Sequence, residues 1–212
     1  MLKLYSYFRS SASYRARIAL HYKGLPFEYI PVHLLQAQQS SDDYVKINPM
    51  KHVPALVHDG FLIAETVAII QYLDDVFPER PLLPNTPREK ALVLQICEVL
   101  NSGIQPLQNL KVTKYLEKEY GLNKERADDF SRHWIAEGMA NLEKLLARTA
   151  GTYSFGGMVT AADAFLVPQC FSSKRFGVDI EKFPTIARVY ANATKLESFQ
   201  KAHPEKQPDY QA

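Results

Sequence analysis

The chain has 212 residues, 46% of them hydrophobic, which is enough to bury one large core or two small ones and too much for a disordered segment. Lys and Arg total 25 against 23 for Asp and Glu, so the net charge of +2 gives no broad field for nucleic acid or an anionic membrane, and an anionic ligand has to be met locally. No uncharged apolar run approaches the ~18 residues of a spanning helix, and MLKLYSYFRS is charged where a leader peptide needs an apolar core, so the expected compartment is the cytoplasm.

Along the chain, KLYSY reads as a first strand. Tyr14, Ile18 and Tyr22 then fall four apart on a helix that stops at Lys23-Gly24, a cationic last turn followed by glycine. FEYIPV is a second strand. The polar span 36–43 leads through Tyr44 and Ile47 to Asn48-Pro49, where proline ends the helix. PALVH and FLIA are two short strands joined by Asp59-Gly60, a pair suited to a tight hairpin turn. Val67, Ile70, Leu73 and Phe77 mark one face of a third helix, giving the order β-α-β-α-β-β-α.

The composition then shifts. PERPLLPNTPRE holds four prolines and predicts a semi-rigid linker at residues 79–88, between a domain at 1–78 and another at 89–212. Beyond it lie only helical periodicities: Leu92, Ile96 and Val99; Ile135, Met139, Leu142 and Leu146; Ile186, Val189, Ala193 and Leu196. Trp134 falls on an apolar face and is expected in the core. The tail HPEKQPDYQA is expected to fray or to lie over the surface.

Chemistry-bearing residues are few. Cys97 and Cys170 lack metal or redox spacing and read as buried structural thiols, and none of the six histidines pairs at i, i+4 for a metal. In FRSSASYRARIAL, Ser10, Ser11 and Ser13 crowd around Ala12 where strand gives way to helix. Taken alone they make a turn and a helix cap. Nothing resembling GxSxG accompanies them, which excludes a serine hydrolase. Arg15 and Arg17 read as a solvated face or a structural ion pair. Gly103 and Pro106 in GIQPLQN disturb a helix, and the amides Gln105, Gln108 and Asn109 stand beside them.

This layout resembles the glutathione transferase superfamily: a thioredoxin-like N-terminal domain, then an all-α domain. Val53-Pro54 looks like the cis-proline junction of that fold, Glu65-Thr66 like the pair that holds the γ-glutamyl end of glutathione, and Thr160-Ala-Ala-Asp163 like a capping box of structural use. YFRSSASYRARIAL, NPMKHVPAL, GIQPLQNL, LVPQ, RFGVDI, FPTI and HPEKQPD narrow the resemblance to the zeta class, with maleylacetoacetate isomerase its best-known member, over essentially the full length. One departure stands out, since Ala12 replaces the cysteine of the class signature, as in relatives that act on maleylpyruvate.

The resemblance implies a glutathione-dependent cis–trans isomerase. A thiolate adds to a conjugated double bond, the bond rotates, and the thiolate leaves. Ser10 is then the thiolate-stabilising hydroxyl, with Ser11 the alternative and Ser13 a cap. Glutathione falls to Ser10, Ser11, Gln38 (or Gln39), Val53, Pro54, Glu65, Thr66, Gln105 and Asn109. Arg9 and Arg175 are the cations for a dicarboxylic substrate. Maleylpyruvate isomerisation, conjugation or dehalogenation of small α-halo acids, and a non-catalytic binding protein on the same scaffold stay open. A homodimer is implied by the family alone.

Overall fold

A computed structural model describes residues 1–211. Its regular elements are β1 (Leu2–Ser6), α1 (Ser11–Lys23), β2 (Phe27–Pro31), α2 (Asp42–Ile47), β3 (Ala55–His58), β4 (Phe61–Ala64), α3 (Thr66–Val76), α4 (Pro87–Glu98), α5 (Leu110–Tyr120), α6 (Lys124–Leu146), α7 (Ala161–Arg175), α8 (Pro184–Ala193) and α9 (Glu197–Ala202). They form two compact units. One comprises Met1–Leu83 together with the segment from Lys195 onward, the other Pro84–Thr194.

In the first unit the sheet order is β2-β1-β3-β4, with β1 parallel to β2 and antiparallel to β3, and β3 antiparallel to β4. The register sets Leu4 beside both Tyr29 and Leu56. Leu4 and Leu56 are fully buried, which fixes that register, since a one-residue slip would turn both to the opposite face. The hairpin turn follows the sequence: Asp59 and Gly60 take φ of 48° and 88°, the double positive-φ geometry that matches strand twist. Gly24 closes α1 in the left-handed conformation at φ 70°.

Helix α1 differs from expectation in what surrounds it. Arg15 and Arg17 are both fully buried, so the solvated-face reading is wrong. The reason is that α9 packs on α1, and α3 also contacts it, leaving no outer face. The Arg17 guanidinium is accommodated because it donates to Ala202 O at 3.0 Å, Ser6 Oγ at 3.2 Å, Tyr7 O at 3.3 Å and Phe8 O at 2.9 Å. Burial lowers its pKa to about 10, so it stays protonated at neutral pH. The tail lies over the surface, the second of the two expectations for it, and through residue 211 it is pinned there: Pro204 and Gln207 are buried and Gln207 Nε2 donates to Lys201 O at 2.9 Å, while Ala212 lies outside the described residues. Ahead of it Phe199 and Ala202 are buried, and Tyr14 Oη donates to Phe199 O at 3.5 Å. Residues 195–211, expected in the helical domain, therefore belong with the chain's beginning.

The proline-rich run is held in place through a buried ion pair. Lys23 Nζ lies 2.8 Å from Asp74 Oδ1 and also donates to the carbonyls of Glu79 and Arg80, while Asp74 accepts the amides of Leu82 and Leu83.

In the second unit α7 is buried on nearly every side. It opens with the expected capping box, in which both Asp163 oxygens take backbone amides, Ser154 N at 2.7 Å and Thr160 N at 2.8 Å. Ile135, Met139, Leu142 and Leu146 are fully buried as their spacing predicts. On α4 the stripe is shifted: Val93, Ile96 and Cys97 face inward and Leu92 is 41% exposed. Trp134 is also 36% exposed rather than core. After α4 the backbone loosens to a π-helical stretch (Val99–Ile104) and tightens to a 3-10 turn (Gln105–Gln108) around Pro106, as its missing N–H demands. Among the described residues no helix is long and apolar enough to cross a membrane, and no cluster of His, Cys, Asp and Glu could hold a metal.

Candidate active site

Strand β1 ends at Ser6, and a short turn, closed by Ser10 N donating to Tyr7 O at 3.0 Å, delivers the serines to the head of α1. Ser10 is the N-cap. Its Oγ accepts the Ser13 amide at 3.2 Å, which leaves its own hydroxyl proton to donate elsewhere. Ser11 is the first helical residue, half-buried, with its hydroxyl in no hydrogen bond among the described residues. The roles expected of Ser10 and Ser13 divide differently here: Ser13 is fully buried, its Oγ accepts the Tyr7 amide at 3.4 Å, and it caps nothing. No acidic residue lies in the first turn of this 13-residue helix. Partial positive charge, unspent amides and two hydroxyls thus converge where an anion would be stabilised.

A second group of unspent polar atoms lies along the loops of the same unit. The Val53-Pro54 bond is cis, both residues are buried, and β3 pairing begins only at Ala55. Neither the N–H nor the C=O of Val53 makes a backbone hydrogen bond among the described residues. A buried backbone pair without partners is rare in a finished fold and suits an extended peptide that would add as a strand. Three buried side-chain atoms of these loops are likewise unbonded among the described residues, His33 Nδ1, Gln39 Oε1 and His52 Nε2. Gln38, by contrast, is exposed and its amide is spent within its own loop, accepting from His33 N at 2.7 Å and donating to Gln36 Oε1 at 3.4 Å. The runner-up Gln39 therefore has the unspent acceptor. His52, not among the residues the sequence singles out, stands directly before Val53-Pro54 with its unbonded ring nitrogen.

Glu65 and Thr66 head α3. Glu65 is exposed, makes no side-chain cap, and sits at φ 67°, ψ 122°, a conformation non-glycine residues avoid. The side-chain capping explanation for this pair fails at Glu65, whose carboxylate is left exposed on a strained backbone. Arg9 is half-buried beside the serines and makes no ion pair among the described residues.

In the second unit Gln105 starts the 3-10 turn, half-buried, and Asn109 caps α5 with its Oδ1 on Lys111 N at 3.0 Å. Gln108 between them is committed to the core, where its Nε2 donates to Gln169 Oε1 at 2.7 Å and its Oε1 accepts from Ser172 Oγ at 3.0 Å. Arg175 is exposed at the C-terminus of α7, its guanidinium 6.0 Å from the Phe176 ring. Both cysteines lie in this unit and are buried, and burial pushes the Cys170 thiol well up. With Ala12 in the serine turn, the first unit contains no thiol of its own.

Residues 1–75 match the family model of the glutathione S-transferase N-terminal domain. Glutathione S-transferase Z2 of Arabidopsis thaliana is 49% identical over 98% of this chain and 93% of its own. This chain belongs to the zeta class of glutathione S-transferases. The mouse maleylacetoacetate isomerase is 43% identical over 97% of this zeta-class chain and 94% of its own. Among solved structures, the holo form of a bacterial zeta-class maleyl pyruvate isomerase superposes with a TM-score of 0.95, at 36% identity, over 99% of this chain and 100% of that one. The maleylacetoacetate isomerase of Anaeromyxobacter dehalogenans, solved with glutathione in its active site, gives 0.89 at 40% identity over 99% and 97%. The class thus accounts for the fold.

Proposed function

We propose that this zeta-class chain is a glutathione-dependent cis–trans isomerase acting on maleylacetoacetate. The observation that carries the reading is the head of α1, where Ser10 and Ser11 present hydroxyl protons at a helix N-terminus free of acidic residues. When bound, glutathione supplies a thiolate that can add to a conjugated cis double bond and be expelled after rotation. The chain's part is to keep that sulfur ionised and to hold both partners still. One hydroxyl donated to the thiolate contributes about 1.5–3 kcal/mol, and the helix terminus about 0.3–1 kcal/mol. Against an ordinary thiol pKa near 8.5, that suffices to favour the anion at neutral pH.

The backbone of Val53 would pair with the cysteinyl portion of the tripeptide, Glu65 and Thr66 would meet its γ-glutamyl ammonium and carboxylate, and Gln39 and His52 would take polar groups along its length. Gln105 and Asn109 serve the same ligand in this reading. Arg9 and Arg175 would hold the substrate carboxylates, guanidinium to carboxylate in bidentate fashion. The sulfur is external to the protein, so Ala12 in place of a cysteine is no obstacle.

Cytoplasmic action fits the two buried thiols. A homodimer fits the exposed Met50, Phe61 and Leu62, the last two on the edge strand β4. The deciding experiment is an ultraviolet assay of maleylacetoacetate and maleylpyruvate, with and without glutathione, in which glutathione is also quantified at the end. Isomerisation predicts many turnovers per glutathione and full recovery of it. One-to-one loss of glutathione would replace this reading by conjugation, and absence of both turnover and binding by a non-catalytic role.

A further inference from the structure

The serine turn is held from two directions, and one of them is the other end of the chain. Phe8 N, two residues ahead of Ser10, donates to Asp209 Oδ2 at 3.0 Å across 201 residues of sequence. The second oxygen of that carboxylate accepts from Tyr29 Oη on β2 at 2.6 Å. Burial first, and the bond to Asp209 next, push the Tyr29 phenol well up, so it remains a donor. Tyr210 sets its ring perpendicular to Phe8 at 5.5 Å, and Gln211 Oε1 lies 3.4 Å from His33 Nε2. Arg17 grips the carbonyls of Tyr7 and Phe8 while its Nε holds Ala202 O, so the guanidinium and the carboxylate fix opposite sides of the Tyr7–Phe8 peptide unit.

We propose that Asp209 is a positioning residue for the thiolate site: by holding the Phe8 amide, the C-terminal segment sets where the Ser10 and Ser11 hydroxyls point. The inference rests on the glutathione reading above. Nothing in the sequence places position 209 near position 8. A carboxylate is suited to the task because it offers two acceptors at once, one for the loop and one for the sheet, and so ties the turn to a rigid strand. Misplacing a catalytic group by about 1 Å can cost up to a hundredfold in rate, which is the scale on which a released turn would be felt.

The test compares wild type with Asp209→Ala and Asp209→Asn. Hydrogen exchange of the Phe8 amide is read on the protein alone. The thiol pKa of bound glutathione is read from thiolate absorbance, its affinity from calorimetry, and kcat from the isomerase assay. In Asp209→Ala, exchange at Phe8 accelerates at least tenfold, the bound thiol's pKa rises by about one unit, and kcat falls about tenfold, with affinity changed less than threefold. Asn keeps an acceptor for the amide and recovers most of both losses. An alanine variant with wild-type thiol pKa and kcat overturns the proposal, as does parallel loss of affinity and rate with no change in thiol pKa. If Asp209→Ala fails to fold, Asp209→Asn and Tyr29→Phe carry the test together, the first weakening the acceptor on the Phe8 amide and the second cutting the carboxylate's tie to β2. Phe8 exchange should accelerate and the bound thiol's pKa rise in the double variant, and a wild-type thiol pKa in it overturns the proposal. Wild-type protein that binds no glutathione refutes the functional reading instead.

Discussion

Ser10→Ala removes one oxygen with two separable duties. As N-cap, that oxygen accepts the Ser13 amide at 3.2 Å, and an N-cap lost to alanine costs about 1 kcal/mol of stability. As donor to sulfur it contributes about 1.5–3 kcal/mol, which at 1.36 kcal/mol per unit raises the bound thiol's pKa by roughly one to two units. Because the anion is the favoured form at neutral pH to begin with, its fraction, and kcat with it, should drop roughly two- to fiftyfold. Ser10→Gly separates the duties, because glycine at an N-cap costs only a few tenths of a kcal/mol while still lacking the hydroxyl. Urea unfolding should therefore find Ser10→Gly near wild type and Ser10→Ala destabilised, with both equally poor in thiolate absorbance and turnover. Ser11→Ala leaves every described hydrogen bond intact and should leave stability unchanged. If Ser10→Gly retains the wild-type thiol pKa and rate, Ser10 is only a cap. The role then passes to Ser11 where Ser11→Ala raises the pKa, and to neither serine where it does not.

Gly138→Ala in α6 should gain about 1 kcal/mol on helix propensity alone. A Cβ there would stand 2.5 Å from Ile104 Cγ1, so thermal melting should show a net loss of about 1–3 kcal/mol, and the loss should vanish when the same glycine change is made in an Ile104→Ala background and compared with Ile104→Ala alone. Gly151→Ala should be worse, since its Cβ would meet the Gly156 carbonyl oxygen at 2.5 Å and backbone cannot step aside. Asp74→Ala should lower stability by about 3–5 kcal/mol in denaturant titration, because it strands the fully buried Lys23 ammonium. The pH dependence has a defined sign at two histidines. Burial first, with Lys201 and Arg17 nearby, lowers His21; burial likewise lowers His203, with Arg17 and Lys206 adding and Glu205 opposing. Unfolded imidazole titrates near 6.5, so between that value and the lower folded ones the unfolded chain binds more protons. Their contribution is complete above pH 6.5 and is lost on acidification below it. The melting temperature should fall between about pH 7.5 and 5.5, and fall less in His21→Asn/His203→Asn; an identical fall in both would refute the assignment.

Local chemistry made the first half of the chain readable. Gly24, Asn48-Pro49 and Asp59-Gly60 punctuate elements through backbone requirements that neighbouring sequence determines. The long stripe on α6 was equally plain, since one buried face suffices to define a period. What escaped reading depends on contacts distant in sequence. Arg17 looks solvent-bound until α9 covers it, and a buried guanidinium is intelligible only once Ala202 O and the 6–8 turn are seen to meet it. Ser10, Ser11 and Ser13 are interchangeable as letters; their burial and bonds divide them into a cap, an unengaged hydroxyl and a core residue. Gln38 and Gln39 differ only in which amide its own loop consumes.

Because α9 and the residues after it complete the unit that β1 begins, that unit cannot form until synthesis has passed Tyr210. A nascent or truncated chain ending at Leu83 would carry α1 with Arg17 bereft of Ala202, and Phe8 without its tyrosine cover. Such a fragment would offer its sticky helix to chaperones or to other fragments, so the isolated thioredoxin-like portion should need residues 195–211 supplied in trans, or fused ahead of Met1, to stay monomeric in a dilute solution.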